Sequence, residues 1–101
     1  MMIPKTIKIG KTKYPVLQPY CLLPPDCAGS VTYGHSIRVA NNMRVKGRLA
    51  PRSERQRSET FWHEVTHAIL HDMGHKLEAN EQFVTAFSQR LNDAIRSAKF
   101  Q

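Results

Sequence analysis

Glu59-Thr60-Phe61-Trp62-His63-Glu64-Val65-Thr66-His67-Ala68-Ile69-Leu70-His71, followed by Asp72-Met73-Gly74, is the stretch on which the reading of the whole chain turns. Trp62, Val65, Ile69 and Met73 recur at helical spacing, which predicts an amphipathic helix with these four on one apolar stripe. Ser53 and Gln56 are spaced as a capping box just after Pro51, so the helix is expected to start near Ser53. It is expected to run through Met73, with Gly74 as its stop. On this wheel His63 and His67 lie well away from the stripe, so core and chemistry occupy different faces.

Those histidines belong to the pattern H-E-x-x-H at 63 to 67. Residues four apart on a helix stand one turn apart on the same face, about 6 Å along the axis, so both imidazoles can reach one Zn²⁺. Glu64, rotated about 100° from His63, sits beside such a site and can take a proton from water activated by the metal. A catalytic zinc takes three protein ligands, and His71 is about 12 Å up the axis from His63, too far to be the third.

Three residues beyond the helix remain candidates for that ligand: Glu81, Glu78 and His75. Glu81 is preferred. Asn80 is placed to cap a second helix to about Ala98, with Phe83, Val84, Phe87, Leu91, Ala94 and Ile95 as its apolar stripe. Glu81 borders that stripe near Val84 and should face the first helix, whereas Glu78 points further outward.

Upstream, residues 5 to 17 alternate Ile7 and Ile9 with lysines, then place Gly10-Lys11 before Tyr14 and Val16, a pattern for a half-buried hairpin. Pro15 pushes its second strand toward a sheet edge. Residues 19 to 29 carry Pro19, Pro24, Pro25 and Gly29 and read as a partly buried loop. Val31–Tyr33 and Ser36–Ala40 flank Gly34-His35 and suggest a second hairpin, with 36 to 40 as an edge strand able to hold an extended peptide. From Asn41 to Pro51 the periodicity fades and no regular element is expected. The expected fold is therefore α+β: a small, mainly antiparallel sheet of three or four strands packed on two helices.

At 101 residues, 41% hydrophobic and 23% charged, the chain has the length and composition of a single globular domain spanning 1–101. No run approaches the roughly 18 apolar residues of a membrane span, and Lys5, Lys8, Lys11 and Lys13 interrupt any signal-peptide core, so a soluble cytoplasmic protein is expected. Cys21 and Cys27 match no zinc-finger pair and read as reduced, packed or incidental thiols. The net charge of +7 lies entirely in the first half, where Asp26 is the only acid, so a nucleic acid or an acidic protein is a conceivable partner. Arg44, Lys46, Arg48, Arg52, Arg55 and Arg57 read more simply as a solvated basic run. Glu59, four residues before His63, is a candidate to orient that imidazole, and Tyr33 and His35 are candidates to steady an oxyanion.

The residues from 59 to 74, together with Asn80-Glu81-Gln82-Phe83-Val84-Thr85-Ala86-Phe87-Ser88, resemble the short ImmA/IrrE-like zincin metallopeptidases of phages and prokaryotes. The resemblance is strong over about 30 residues and extends weakly to the upstream strands. It implies a gluzincin-type site with His63, His67 and Glu81 as zinc ligands and Glu64 as general base. The separation of His67 from Glu81 is shorter here than in longer members. The resemblance also implies a phage or prokaryotic enzyme working in the host cell, but the substrate of the longer relatives does not carry over, and a protein or peptide substrate is expected from the chemistry alone. The expected reaction is peptide hydrolysis in which zinc polarises the carbonyl and Glu64 moves the proton. The alternative from another class is a zinc-stabilised, non-catalytic module that binds nucleic acid or an acidic partner through its basic half.

Overall fold

Alternation of side chains builds the first layer of the structure, a computed structural model that describes residues 3–99. Strands Thr6–Ile9 (β1) and Thr12–Leu17 (β2) pair antiparallel, with Ile9 opposite Thr12 across the Gly10-Lys11 turn. Gly29–Thr32 (β3) and Ser36–Val39 (β4) form the second expected hairpin. One parallel pairing, Val16 opposite Ile37, joins the hairpins into a sheet of order β1-β2-β4-β3. Ile9, Tyr14, Val16, Ile37 and Val39 point to one face and bury there.

The topology corrects two expectations. Residues 36 to 40 are not an edge: β4 is interior, and β3 is the outer strand. Pro15 does not place β2 at an edge either, because β2 lies between β1 and β4. The proline is tolerated because β4 pairs only with Val16 and Leu17, so no ladder donor is demanded at position 15.

The stretch expected to lack structure is a second sheet, the hairpin Asn42–Val45 (β5) and Arg48–Pro51 (β6). Lys46 and Gly47 make its two-residue turn with φ of 52° and 81°, the double positive φ of a type I′ turn. The signal was local turn chemistry rather than periodicity, since Met43, Val45 and Leu49 have no core to alternate against. The hairpin docks on the proline-rich loop instead, through Asn41 N–H to Pro19 O, Asn42 N–H to Tyr20 O and Arg44 N–H to Pro25 O.

Helix α1 spans Glu54–Asp72, and the capping box forms as expected: Gln56 N–H donates to Ser53 Oγ, and Ser53 N–H to Gln56 Oε1. Its packed face is Phe61, Val65 and Ala68, which close the core over the sheet. The predicted stripe was rotated from this. Val65 belongs to the core and Trp62 packs at its margin, but Ile69 is exposed and Met73 is 64% exposed. After a one-turn 3₁₀ helix, Lys76–Ala79, helix α2 runs Glu81–Ser97 with Asn80 as its N-cap, its side chain accepting from Phe83 N–H. Here too the stripe is displaced: Val84, Ser88 and Asn92 are the buried residues, while Phe87 is 48% exposed and stacks on Phe83. The sheet covers only α1, so α2 packs on α1 and the 3₁₀ turn through a partly polar seam. Within it Ser58 Oγ donates to Asn92 Oδ1 at 2.7 Å. Among the described residues, no helix is long and apolar enough to cross a membrane.

Candidate metal centre

The two histidines of the motif, one turn apart on α1, bring their rings to 4.9 Å between centroids at 68°. Asn80 starts α2 so that Glu81, its first residue, turns toward them. Glu81 Oε2 lies 3.1 Å from His63 Nε2 and Oε1 lies 2.7 Å from His67 Nε2. The three residues can offer ligand atoms that all lie within 4.8 Å of one another. Donors around a tetrahedral zinc with bonds near 2 Å are roughly 3.3 Å apart, so this cluster has the dimensions of such a site.

The hydrogen bonding of His67 adds a chemical argument. Its Nδ1 lies 2.7 Å from the Glu78 carbonyl oxygen, which can only accept, so Nδ1 carries the hydrogen. In the neutral ring the lone pair is then on Nε2 and faces a Glu81 oxygen at 2.7 Å. Two acceptors that close repel unless a proton or a cation lies with them. The donor set, two imidazoles and one carboxylate, is that of a catalytic zinc site. The side chain of Glu81 is 68% exposed, which leaves this side of the cluster open to solvent.

Glu64 lines the same cleft and is itself buried, with its side chain outside the three-residue cluster. Burial pushes its carboxyl up to about 7; the nearby Glu81 charge works in the same direction, while His67 opposes it. Burial lowers the His63 pKa, against the Glu81 charge, which raises it.

The other candidates fall elsewhere. Glu78 contributes its carbonyl to His67, but its carboxylate faces Tyr33 and His71, with Oε1 3.8 Å from His71 Nδ1. His75 is exposed and accepts from Leu77 N–H, capping the 3₁₀ turn. Glu59 reaches the cleft yet accepts from Gln89 Nε2 at 3.2 Å rather than orienting His63. Tyr33 and His35 do not line the cleft. Tyr33 stacks on His71, with centroids 3.8 Å apart and planes 1° apart, and His35 Nδ1 meets Ser36 Oγ. Both sit on the β3–β4 turn, outside the cleft lining. Cys21 and Cys27 are free, and Cys27 Sγ donates to Gly29 O.

The cleft, about 380 Å³, includes residues that no motif announced: Ala28, Gly29, Thr60, Thr85, Ser88 and Gln89. Gly29 opens β3 directly against α1, where a Cβ would overlap Thr60 Cγ2 and touch Glu64 Cγ. Ala40 N–H donates to Ala28 O, so by antiparallel alternation Gly29 and Val31 direct their backbone groups away from β4, along the open edge. Arg52, grouped with a solvated basic run in sequence, is instead the bolt of this corner. Its guanidinium donates to Ala28 O, Ala40 O, Gln56 O and, at 2.6 Å, Thr60 Oγ1. Burial, with the neighbouring Arg57, lowers its pKa.

Comparison with family models, with curated proteins and with solved structures gave no match.

Proposed function

We propose that this chain is a zinc-dependent metallopeptidase of the ImmA/IrrE-like kind, acting in the cytoplasm of a host cell on a protein or peptide substrate. The observation that carries this reading is the convergence of His63, His67 and Glu81 beside a buried Glu64 on the wall of an open cleft. His63 Nε2, His67 Nε2 and the Glu81 carboxylate would hold the ion. When bound, zinc supplies a Lewis acid for a carbonyl oxygen and lowers the pKa of water toward roughly 7.

The rest of the reaction falls to the chain itself. The outward-facing backbone of Gly29 and Val31 would pair with an extended substrate as an added strand, in place of the 36–40 segment. That pairing would lay the scissile bond along the cleft in front of Glu64, because Gly29 and Glu64 both line it and only the missing Cβ at Gly29 separates them. Glu64 takes a proton from the attacking water and passes it to the leaving nitrogen, and the water's second proton, lost as the new acid ionises, goes to the same nitrogen, so bond cleavage yields a carboxylate and an ammonium. Glu64→Gln removes the base while leaving the ligands. It should retain one zinc per chain by elemental analysis and lose turnover by on the order of 10²–10⁴-fold. Unchanged peptide hydrolysis in that variant refutes the mechanism.

A second reading, a zinc-stabilised module that binds nucleic acid, is favoured by one specific observation. Lys8 stands directly opposite Lys13 across β1 and β2, and Arg38 is exposed on β4, all on the sheet face away from the helices. Like charges placed opposite each other cost stability unless an anion relieves them. Duplex DNA binding that weakens steeply with salt, persists in Glu64→Gln and is accompanied by no hydrolysis would replace the peptidase reading with this one.

A further inference from the structure

The 3₁₀ turn at Lys76–Ala79 presents a problem of packing. It buries no residue, yet its Glu78 carbonyl is the group that fixes which nitrogen of His67 faces the metal cluster. A turn with no apolar anchor has to be held by something else. Its own hydrogen bonds are His75 N–H to Leu70 O, Asn80 N–H to Leu77 O and the His75 cap, and the Glu78 side chain adds a tie to the rest of the molecule. The carboxylate lies 3.8 Å from His71 Nδ1, and its charge, after burial, helps to hold the Tyr33 phenol protonated. Tyr33 and His71 are themselves locked face to face, 3.8 Å apart and within 1° of parallel. The three residues come from separate elements: the β3–β4 turn, the last turn of α1 and the 3₁₀ helix.

We propose that Tyr33 and His71 are positioning residues that act through Glu78 as a brace on His67, fixing its tautomer and ring position for metal binding. The proposal rests on the metal-centre reading above, but its geometry is a property of the chain. Tyr33 sets the lateral position of His71 by stacking, and the pair grips the Glu78 carboxylate. Gripping the side chain holds the backbone of residue 78, whose carbonyl keeps a hydrogen on His67 Nδ1 and so leaves Nε2 as the donor atom. Outer hydrogen-bond partners of this kind typically change metal affinity by about 10–100-fold when removed. Tyr33 also follows Thr32, the last residue of the edge strand, so the brace ties the proposed substrate strand to one metal ligand.

The test uses the full chain in two states. In the metal-free protein, long-range ¹H–¹⁵N spectra of the histidines should show His67 in the Nδ1–H tautomer. In Tyr33→Ala that population should become mixed, while Tyr33→Phe, which keeps the stack and loses the hydroxyl, should fall between. In the metal-loaded protein, zinc affinity by chelator competition should drop about tenfold in Tyr33→Ala and less in Tyr33→Phe. The visible spectrum of the Co²⁺-substituted protein should shift in parallel. An unaltered His67 tautomer and a zinc affinity within twofold of wild type in Tyr33→Ala overturn the brace, whatever happens to the melting temperature. Absence of zinc binding by the wild type overturns the metal-centre reading instead, and the tautomer measurement on the metal-free chain still decides whether Tyr33 and His71 govern His67.

Discussion

The two helices carry the candidate site between them but are held by different means. Helix α1 is clamped on one side by the sheet, with Phe61, Val65 and Ala68 in the main core and a complete capping box at its start. Helix α2 has Val84 as its one buried apolar residue, beside Ser88 and Asn92. Phe83, Leu91 and Ile95 are only part-buried, and polar ties add to them: Ser58 to Asn92, Arg55 to Asp93 at 3.4 Å, Arg96 to Glu54 at 3.1 Å and Gln89 to Glu59. The exposed ion pairs among them are worth about 0–1 kcal/mol each. Asn92 Nδ2 is buried without a partner, which costs further. The lesson is a division of labour in which the helix with the stronger core carries His63, His67 and Glu64, and the weakly docked one carries Glu81, which completes the candidate cluster.

The sharpest way to break this contrast is to remove one core residue from each helix. Phe61→Ala should cost about 3–5 kcal/mol, because a fully buried aromatic leaves a cavity between α1 and the sheet. Val84→Ala removes far less buried surface and should cost about 1–2 kcal/mol. Urea denaturation of both variants checks this, and equal losses would mean that α2 belongs to the same cooperative core.

How much of this was legible in the sequence depends on the range of the forces involved. The histidine pair, the Ser53 capping box, the Asn80 cap and the first hairpin are all local, set by residues within four positions of one another, and each is found where expected. Glu81 was the preferred third residue, and it is the one that lies beside both histidines, although the stripe used to argue for it is rotated. That rotation has a physical cause. Wheels rank apolar side chains by hydrophobicity, but the neighbouring elements supply the partner surface: the sheet leaves Met73 of α1 outside, and the α1–α2 seam covers Ser58, Ser88 and Asn92 while Phe87 stays exposed. The interior position of β4, the Glu78 carbonyl and the corner bolted by Arg52 were not readable, because each depends on contacts between distant segments or on backbone atoms that every residue carries. The β5–β6 hairpin could have been found from Lys46-Gly47, a turn pair joining two short β-prone runs.

Metal should sharpen the contrast between the helices, with an effect smaller than that of Phe61→Ala. An ion bound by His63, His67 and Glu81 joins α1 to α2 and stabilises only the docked arrangement, by about 2.7 kcal/mol at a free zinc concentration one hundred times the Kd. Because α2 has the weaker attachment, the gain should appear chiefly there. Amide hydrogen exchange with and without zinc should show slowing across residues 81–97 and little change over Phe61 to Ala68. Uniform slowing in both helices would show that they open together and remove the distinction; no slowing in either would remove zinc from the site.

The smallest effect expected is at the joint between the helices, where Tyr33 faces Glu78. Burial, followed by the negative charge and hydrogen bonding of Glu78, raises the Tyr33 pKa from 10.0 to about 12. An acid whose folded pKa is raised keeps its proton longer in the native state, so above pH 10 the unfolded chain binds fewer protons than the folded one. Stability is therefore fully present below pH 10 and declines as pH rises from 10 toward 12. Tyr33 is only part-buried, so solvent screening keeps the loss modest and no large alkaline transition follows from it. Tyrosinate absorbance should resolve one phenol titrating near pH 12, above the ordinary tyrosine range, and Tyr33→Phe should abolish that phase and flatten the stability curve between pH 10 and 12. If the late phase survives in Tyr33→Phe, the hydroxyl is not held by Glu78. The joint between α1 and the 3₁₀ turn would then depend on the His71 contacts alone.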